Sequence, residues 1–250
     1  MAMENGSRRM KRRGLIFAPL SFLLALAAVV FGFSVFFRVH IITVSGNSRY
    51  TEEEIISASG IEQGDNLLFI NRGTMTARIN THLPYVERAT IRRRLPNRLD
   101  IQVTESSAIA LLDSTEGTWV IDRNCKLLAE ADSSTDASGL IAIDGLTAAD
   151  PEVGAVAVGA GSDGQKIAYL QDILTAFSEL GMQSDVSSMD FSNPSSPTFR
   201  YLDRFTVRLG PNEDLDYKFQ LLLSAVARMS EGDRGTLDLS IDHRVHLTYE

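Results

Sequence analysis

Residues 39–56, VHIITVSGNSRYTEEEII, follow directly on a long uncharged apolar run and hold two kinds of structure. Ile42 and Val44 alternate with Ile41 and Thr43, the period-two pattern of a half-buried strand. Ser45-Gly46-Asn47-Ser48 is a turn. Thr51-Glu52-Glu53-Glu54 then matches a capping box, in which Thr51 and Glu54 satisfy the first free amides of a helix. Ile55, Ile56 and Ala58 give that helix an apolar side, and Gly60 ends it.

Downstream, Asn71 caps a second helix carrying Met75, Ile79 and Leu83 on one face, and Pro84 stops it. Val86 to Arg94 is a strand and Pro96-Asn97 a turn. Leu99, Ile101 and Val103 then alternate with Asp100, Gln102 and Thr104. The order strand, helix, helix, strand, strand predicts a three-stranded sheet with two helices on one face.

Upstream, Leu15–Phe37 is 23 residues without a charge, and 15 of them are Leu, Ile, Phe or Val. As a helix it reaches about 35 Å, enough to cross a bilayer. Cleaved signal peptides have shorter apolar regions and a small-x-small cleavage site, whereas this run ends in Ser34-Val35-Phe36-Phe37-Arg38. The reading is an uncleaved anchor. Arg8, Arg9, Lys11, Arg12 and Arg13 precede it against a single Glu4, which predicts a cytoplasmic N-terminus and an outer region from residue 38 to 250. The formal charge is −8 overall, so the outer region carries about −12 and is a poor match for nucleic acid. Cys125 is the sole cysteine, so packing must supply the stability that an intrachain disulfide could otherwise give.

The remaining chain reads as a second α+β domain with a mainly antiparallel sheet. Ala108–Leu112, Thr118–Ile121, Leu127–Ala129, Met189–Phe191, Phe199–Leu202 and Phe205–Leu209 are strand-like. Residues 131–139 form a polar loop. Gln165–Leu180 is an amphipathic helix, and Leu215, Phe219, Leu222, Val226 and Met229 mark another. Leu237, Leu239 and Ile241 alternate with Asp238, Ser240 and Asp242 in a last strand.

Chemistry-bearing motifs are few. Gly159, Gly161 and Gly164 fit G-x-G-x-x-G ahead of a helix, as in a pyrophosphate cradle. Glu179 stands 20 residues beyond Gly159, but inside the following helix and not at the end of a second parallel strand. The motif therefore reads as a glycine-rich surface loop, and alanine at its three glycines should leave function largely intact. His40, His82, His243 and His246 lack zinc-ligand spacing. Cys125 sits in a turn and reads as an idle thiol, and Asp214 and Asp216 sit where a helix start favours carboxylates. No enzyme, cofactor or metal is expected. Arg88, Arg92, Arg93, Arg94 and Arg98 form a basic cluster in an acidic region. It reads either as a solvated sheet face or as a docking patch for an acidic partner or anionic headgroups.

Residues 42–105 resemble the POTRA domain of the bacterial division proteins FtsQ and DivIB. The resemblance is carried by Val44-x-Gly46-Asn47, Ser59-Gly60-Ile61, Gly64-x-Asn66-Leu67-Leu68, Pro84-Tyr85-Val86, Leu95-Pro96 and Ile101-x-Val103-x-Glu105. It runs on into Ala110-Leu111-Leu112, Trp119-Val120-Ile121-Asp122, Val207-x-Leu209-Gly210 and Lys218. Ser106-Ser107 stand where that family often has Arg and Pro. The implied plan is a basic cytoplasmic tail (1–14), a membrane helix (15–37), a POTRA domain (38–106) and a second domain of FtsQ/DivIB type (107–250).

The resemblance implies a bitopic scaffold at the division septum. It would recruit small coiled-coil partners of FtsB/DivIC and FtsL type and link them to septal peptidoglycan synthesis. The alternative is a POTRA-bearing translocation or secretion component of the envelope. Thr236–Asp242 is short, alternating and near the C-terminus, and an exposed edge there would accept a partner strand. The resemblance puts the partner site at the same place, at Leu239, Ile241, Asp242, His243 and Arg244. If Val245–Tyr249 folds back instead, the chain covers that edge itself.

Overall fold

A computed structural model describes residues 11–161, 163–240 and 245–249. The backbone divides into two units, one running up to Ile79 and including Ala89–Val103, the other made of Asn80–Arg88 and the chain from Thr104 onward. The later unit resumes at Thr104, three residues before the start at 107 expected from the sequence. The inclusion of Asn80–Arg88 with the later unit was not visible in the sequence.

The first unit begins with helix α1 (Lys11–Phe36), which contains Pro19. Within it Pro19–Phe36 has a mean hydropathy of 2.3 and none of its residues is buried. It is the one helix among the described residues long and apolar enough to cross a membrane. Next come β1 (Ile41–Ser45), α2 (Glu52–Ser59), α3 (Arg72–His82), β2 (Val86–Arg94) and β3 (Arg98–Glu105). The sheet order is β1-β3-β2, with β1 parallel to β3 and Val44 opposite Ile101.

Local chemistry explains these elements. The Thr51 hydroxyl accepts from the Glu54 amide (3.2 Å), and the Glu54 carboxylate accepts from the Thr51 amide (2.8 Å), completing the capping box. Gly60 closes α2 in the left-handed conformation, at φ +69°. Asn71 caps α3 through its side-chain oxygen, which accepts from Thr74 (3.3 Å). Gly46 has φ +84°, and a Cβ there would lie 2.1 Å from the Val103 carbonyl oxygen, so the turn after β1 admits only glycine. Val44, Ala89, Ile91, Leu99, Ile101 and Val103 are buried on one side of the sheet, as are Ile55, Met75 and Ile79 of the helices.

The second unit contains β4 (Ala110–Ser114), β5 (Gly117–Ile121), β6 (Leu127–Glu130), β7 (Ile141–Ala149), β8 (Val158–Gly159) and α4 (Gly164–Leu180). After a short 3-10 turn follow β9 (Val186–Asp190), β10 (Thr198–Tyr201), β11 (Phe205–Arg208), α5 (Leu215–Val226), β12 (Gly235–Asp238) and β13 (His246–Tyr249). They build a ten-stranded sheet in the order β13-β12-β11-β10-β9-β7-β4-β5-β6, with β8 beside β7. Most pairs are antiparallel, but β4–β7, β7–β9 and β11–β12 are parallel.

Strand β7 was not anticipated, although it lies in the middle of the sheet. Its alternation is interrupted at Asp144-Gly145-Leu146, where the register against β4 jumps from Ile143 to Thr147. Gly145 has φ +72°, and a Cβ there would sit 2.3 Å from the Ser192 amide. The bulge thus needs a residue that a sequence reading takes for a turn. The core of this unit centres on aromatic rings. Phe177 of α4 lies 5.2 Å from both Phe199 of β10 and Phe219 of α5, and Tyr169 packs edge-on against Phe191 at 5.9 Å.

Candidate partner interface

The C-terminal end of the ten-stranded sheet corrects one expectation. Of the segment foreseen as a free edge, Thr236–Asp242, residues Thr236–Asp238 belong to β12, and β12 lies between β11 and β13. Gly235, Thr236, Leu237 and Asp238 stand opposite Tyr249, Thr248, Leu247 and His246. The chain folds back and pairs with its own edge, so the amides and carbonyls of β12 are not available to a partner. The signal was present in the alternation of Val245 and Leu247 with His246 and Thr248, and both Val245 and Leu247 pack against the core.

Leu239 is also corrected as a contact residue. It follows directly on β12, donates its amide to the Arg208 carbonyl (2.8 Å), is 2% exposed and belongs to the core. Ile241, Asp242, His243 and Arg244 lie outside the described residues. The open edge is the outer side of β13, with which no strand pairs among the described residues. His246 and Thr248 are exposed there.

The turn leaving β12 is organised by Asp238. Its carboxylate accepts from the Ser240 amide (2.9 Å) and from the Ser240 hydroxyl, and pairs with Arg208 at 3.3 Å. Partial burial works against the charged form. The Ser240 bonds and the Arg208 guanidinium outweigh it and hold the carboxyl below its ordinary range.

The five arginines do not form one set. Arg92, Arg93, Arg94 and Arg98 belong to the first unit and Arg88 to the second, and all five are exposed. Arg92 and Arg94 have the parity opposite to buried Ile91 and so stand on the outer side of β2. Arg93 has the other parity, and its guanidinium donates to the Ile70 carbonyl. Arg94 and Arg98 both reach Asp100, Arg98 at 3.1 Å, and Arg98 also donates to the Thr43 hydroxyl at 3.0 Å. Two cations share one carboxylate, so this sheet face keeps a positive surplus.

The glycine-rich loop has a different geometry from a pyrophosphate cradle. β8 is two residues long and runs antiparallel to β7, off the main sheet path, where the cradle requires a parallel strand. The Asp163 side chain accepts from the Thr147 amide (3.4 Å) and pairs with Lys166 (2.9 Å), so a carboxylate already stands at the start of α4. A Cβ on Gly159 would lie 2.3 Å from the Asp163 carbonyl carbon. The loop closes on itself too tightly for a methyl group at this glycine.

Cys125 is fully buried in the turn after β5, at φ +55°. Burial first, and then the nearby Asp122 and Asp172 carboxylates, push its thiol well above the ordinary value. Such a thiol is a poor nucleophile at neutral pH. Asp122 is buried as well, but its oxygens accept from the Ser106 hydroxyl (2.7 Å), the Asn124 amide (2.8 Å) and the Lys126 amide (2.9 Å). Those bonds fix the turn. Among the described residues no three His, Cys, Asp or Glu side chains converge as metal ligands.

With the β-α-α-β-β order and the β1-β3-β2 sheet established, residues 37–106 match the POTRA domain of FtsQ type. This chain is therefore a POTRA-domain protein with an apolar N-terminal helix and a further β-rich domain. It is 24% identical to the cell division protein DivIB of Clostridium tetani over 78% of this chain and 72% of that one. To DivIB of Clostridium acetobutylicum it is 32% identical, over 48% of this chain and 47% of that one. To the cell division protein FtsQ of an Anaeromyxobacter species it is 29% identical, over 83% and 68%. Domain match and relatives together support membership of the FtsQ/DivIB family of cell division proteins, and with it a cell division role.

Proposed function

We propose that the chain is a single-pass scaffold of the division machinery, with a cytoplasmic N-terminus and residues 38–250 outside the membrane, gathered at the septum. It recruits small coiled-coil division proteins of FtsB/DivIC and FtsL type and links them to septal peptidoglycan synthesis. It catalyses no reaction and takes no cofactor. One observation carries this reading: β13 presents an unpaired edge among the described residues, in a chain whose relatives are cell division proteins. An extended partner segment adds to such an edge through main-chain hydrogen bonds, and alternate side chains supply selectivity. Ile241, Asp242, His243 and Arg244 stand in the chain between β12 and β13 and serve as flanking contacts. Arg88, Arg92, Arg94 and Arg98 offer positive charge to acidic groups.

The test places a photo-crosslinking residue at Thr248 of the full-length chain, produced together with its coiled-coil partner in cells. A second variant carries it at Glu130, on the strand at the other end of the sheet. A crosslink to the partner from position 248 and none from 130 is the expected result. Absence of any crosslink at 248, with the partner still co-purifying, removes the β13 edge as the site. Depletion should give undivided filaments, and protease added to spheroplasts should digest residues 38–250.

A further inference from the structure

The loop from Gly64 to Ile70 is fastened to the outer end of α1. Leu67 donates its amide to the Phe37 carbonyl (2.8 Å), Val39 donates to Asp65 (2.8 Å), and Gly64 donates to Val39 (2.9 Å). Arg38 and Asn66 form an antiparallel bridge, and the Asn66 side-chain amide donates to the Ser34 carbonyl at 3.4 Å. The last carbonyls of a helix have no intrahelical donors, and this loop supplies two. Ser34 is three residues before Phe37, about 4.5 Å along the axis at 1.5 Å per residue. The loop therefore reaches the level of the last turn of the apolar span.

What the loop carries at that level is apolar. Leu67 points inward and is fully buried, while Leu68 and Phe69 are 40% and 84% exposed. Asn66 folds the backbone into a tight turn beneath them. Its side-chain oxygen accepts from Leu68 (2.9 Å) and its carbonyl from Phe69 (3.0 Å). Cations flank this tip: Arg38 directly after the span, Arg72 just beyond Ile70, and Arg93, whose guanidinium sits on the Ile70 carbonyl. The carboxylates of the same loop are Glu62 and Asp65.

We propose that Leu68 and Phe69 enter the interfacial zone of the bilayer as a second membrane contact, while Arg38, Arg72 and Arg93 meet the phosphates of anionic lipids. The proposal rests on the reading of α1 as a membrane anchor. Continuity selects the lipid surface over a protein groove, because the tip is hydrogen-bonded to the end of the helix that would span the membrane. Aromatic rings and arginines at the end of an apolar span are the side chains the headgroup layer accommodates.

The test uses the full chain in nanodiscs of phosphatidylethanolamine and phosphatidylglycerol, with a spin label on Phe69→Cys. Val29→Cys marks the span and Glu116→Cys the water phase. Cys125 is buried, and the unsubstituted chain gives its labelling background. At position 69, collisions with oxygen should exceed those with a water-soluble nickel chelate, as at 29 and with the ratio reversed at 116. Replacing phosphatidylglycerol by phosphatidylcholine should move the label at 69 toward water. If 69 behaves like 116 while 29 reports lipid, the second contact is overturned and the anchor stands. If 29 also reports water, the anchor reading fails and takes the proposal with it. Protection of the label at 69 only after a division partner is added would make the loop a protein contact and overturn the proposal.

Discussion

The two ends of the ten-stranded sheet handle the same problem differently. At one end, the start of β6 is covered by an irregular stretch of its own chain. Leu127 donates to the Ala155 carbonyl (2.8 Å), Gly154 donates back to Leu127 (2.7 Å), and Lys126 bridges Val156. At the other end, β13 has nothing on its outer side among the described residues. An uncovered row of amides and carbonyls can pair with any extended chain, and the proposed partner site uses that property of the open end. The closing segment at β6 contains no regular strand and only a few hydrogen bonds. Covering an edge is structurally simple, and the difference between the two ends does not reflect a lack of means.

The most severe way to break this comparison is to remove what holds the two ends in one sheet. Phe199→Ala on β10 empties the centre of the Phe177, Phe199 and Phe219 cluster, and should lower stability by about 3–5 kcal/mol in urea unfolding. If the two halves of the sheet then unfold in separate steps, the ends are not parts of one cooperative structure and comparing them loses its meaning.

Gly154→Pro acts on the covered edge alone. It deletes the donor to Leu127 and cannot adopt φ +83°. A loss of about 3 kcal/mol is expected, together with self-association in sedimentation as β6 is uncovered. Unchanged stability and a monodisperse chain would make the cover incidental. Leu247→Ala acts on the open edge. Its side chain is only partly buried, so the cost should be about 1–2 kcal/mol, below the usual range for a fully buried leucine. Partner binding should weaken more than stability does, as read by titration of the purified partner.

The smallest effect concerns acid. Asp238 has its carboxyl held below the ordinary value of 3.8, so its contribution is present above that pH and is lost as pH falls through the lower folded value. Ser240→Ala removes the hydroxyl bond to the carboxylate, leaves the amide bond, and should raise the midpoint toward 3.8, as read by carboxyl NMR. The acid sensitivity of unfolding should shrink in parallel.

The sequence was most legible where one short segment decides its own conformation. The Thr51 box, Gly60, the Asn71 cap and the alternation of Leu99, Ile101 and Val103 each specify an element locally, and all are found in the first unit. It was least legible where pairing joins distant segments. β7 depends on parallel partners more than 25 residues away on each side, and its bulge at Gly145 erased the only local pattern. The free edge was misplaced for a related reason. Thr236–Asp238 has the alternation of an edge strand, but four later residues, His246–Tyr249, decide whether that strand is an edge at all. The arginines were legible as charge and not as geometry. Parity and the pull of the Ile70 carbonyl separate Arg93 from Arg92 and Arg94.

The passage from α1 to β1 takes only Phe37, Arg38, Val39 and His40, and their backbone is already bonded to Leu67, Asp65 and Asn97. There is no slack tether between helix and domain. A domain on a flexible leash explores a hemisphere whose radius grows with leash length, which dilutes it relative to anything fixed in the same membrane. With α1 as a membrane anchor, a domain joined this way would be held to lateral sliding and to spinning about the membrane normal. Its encounters become a search in two dimensions, at one height, and a soluble competitor gains nothing from that restriction.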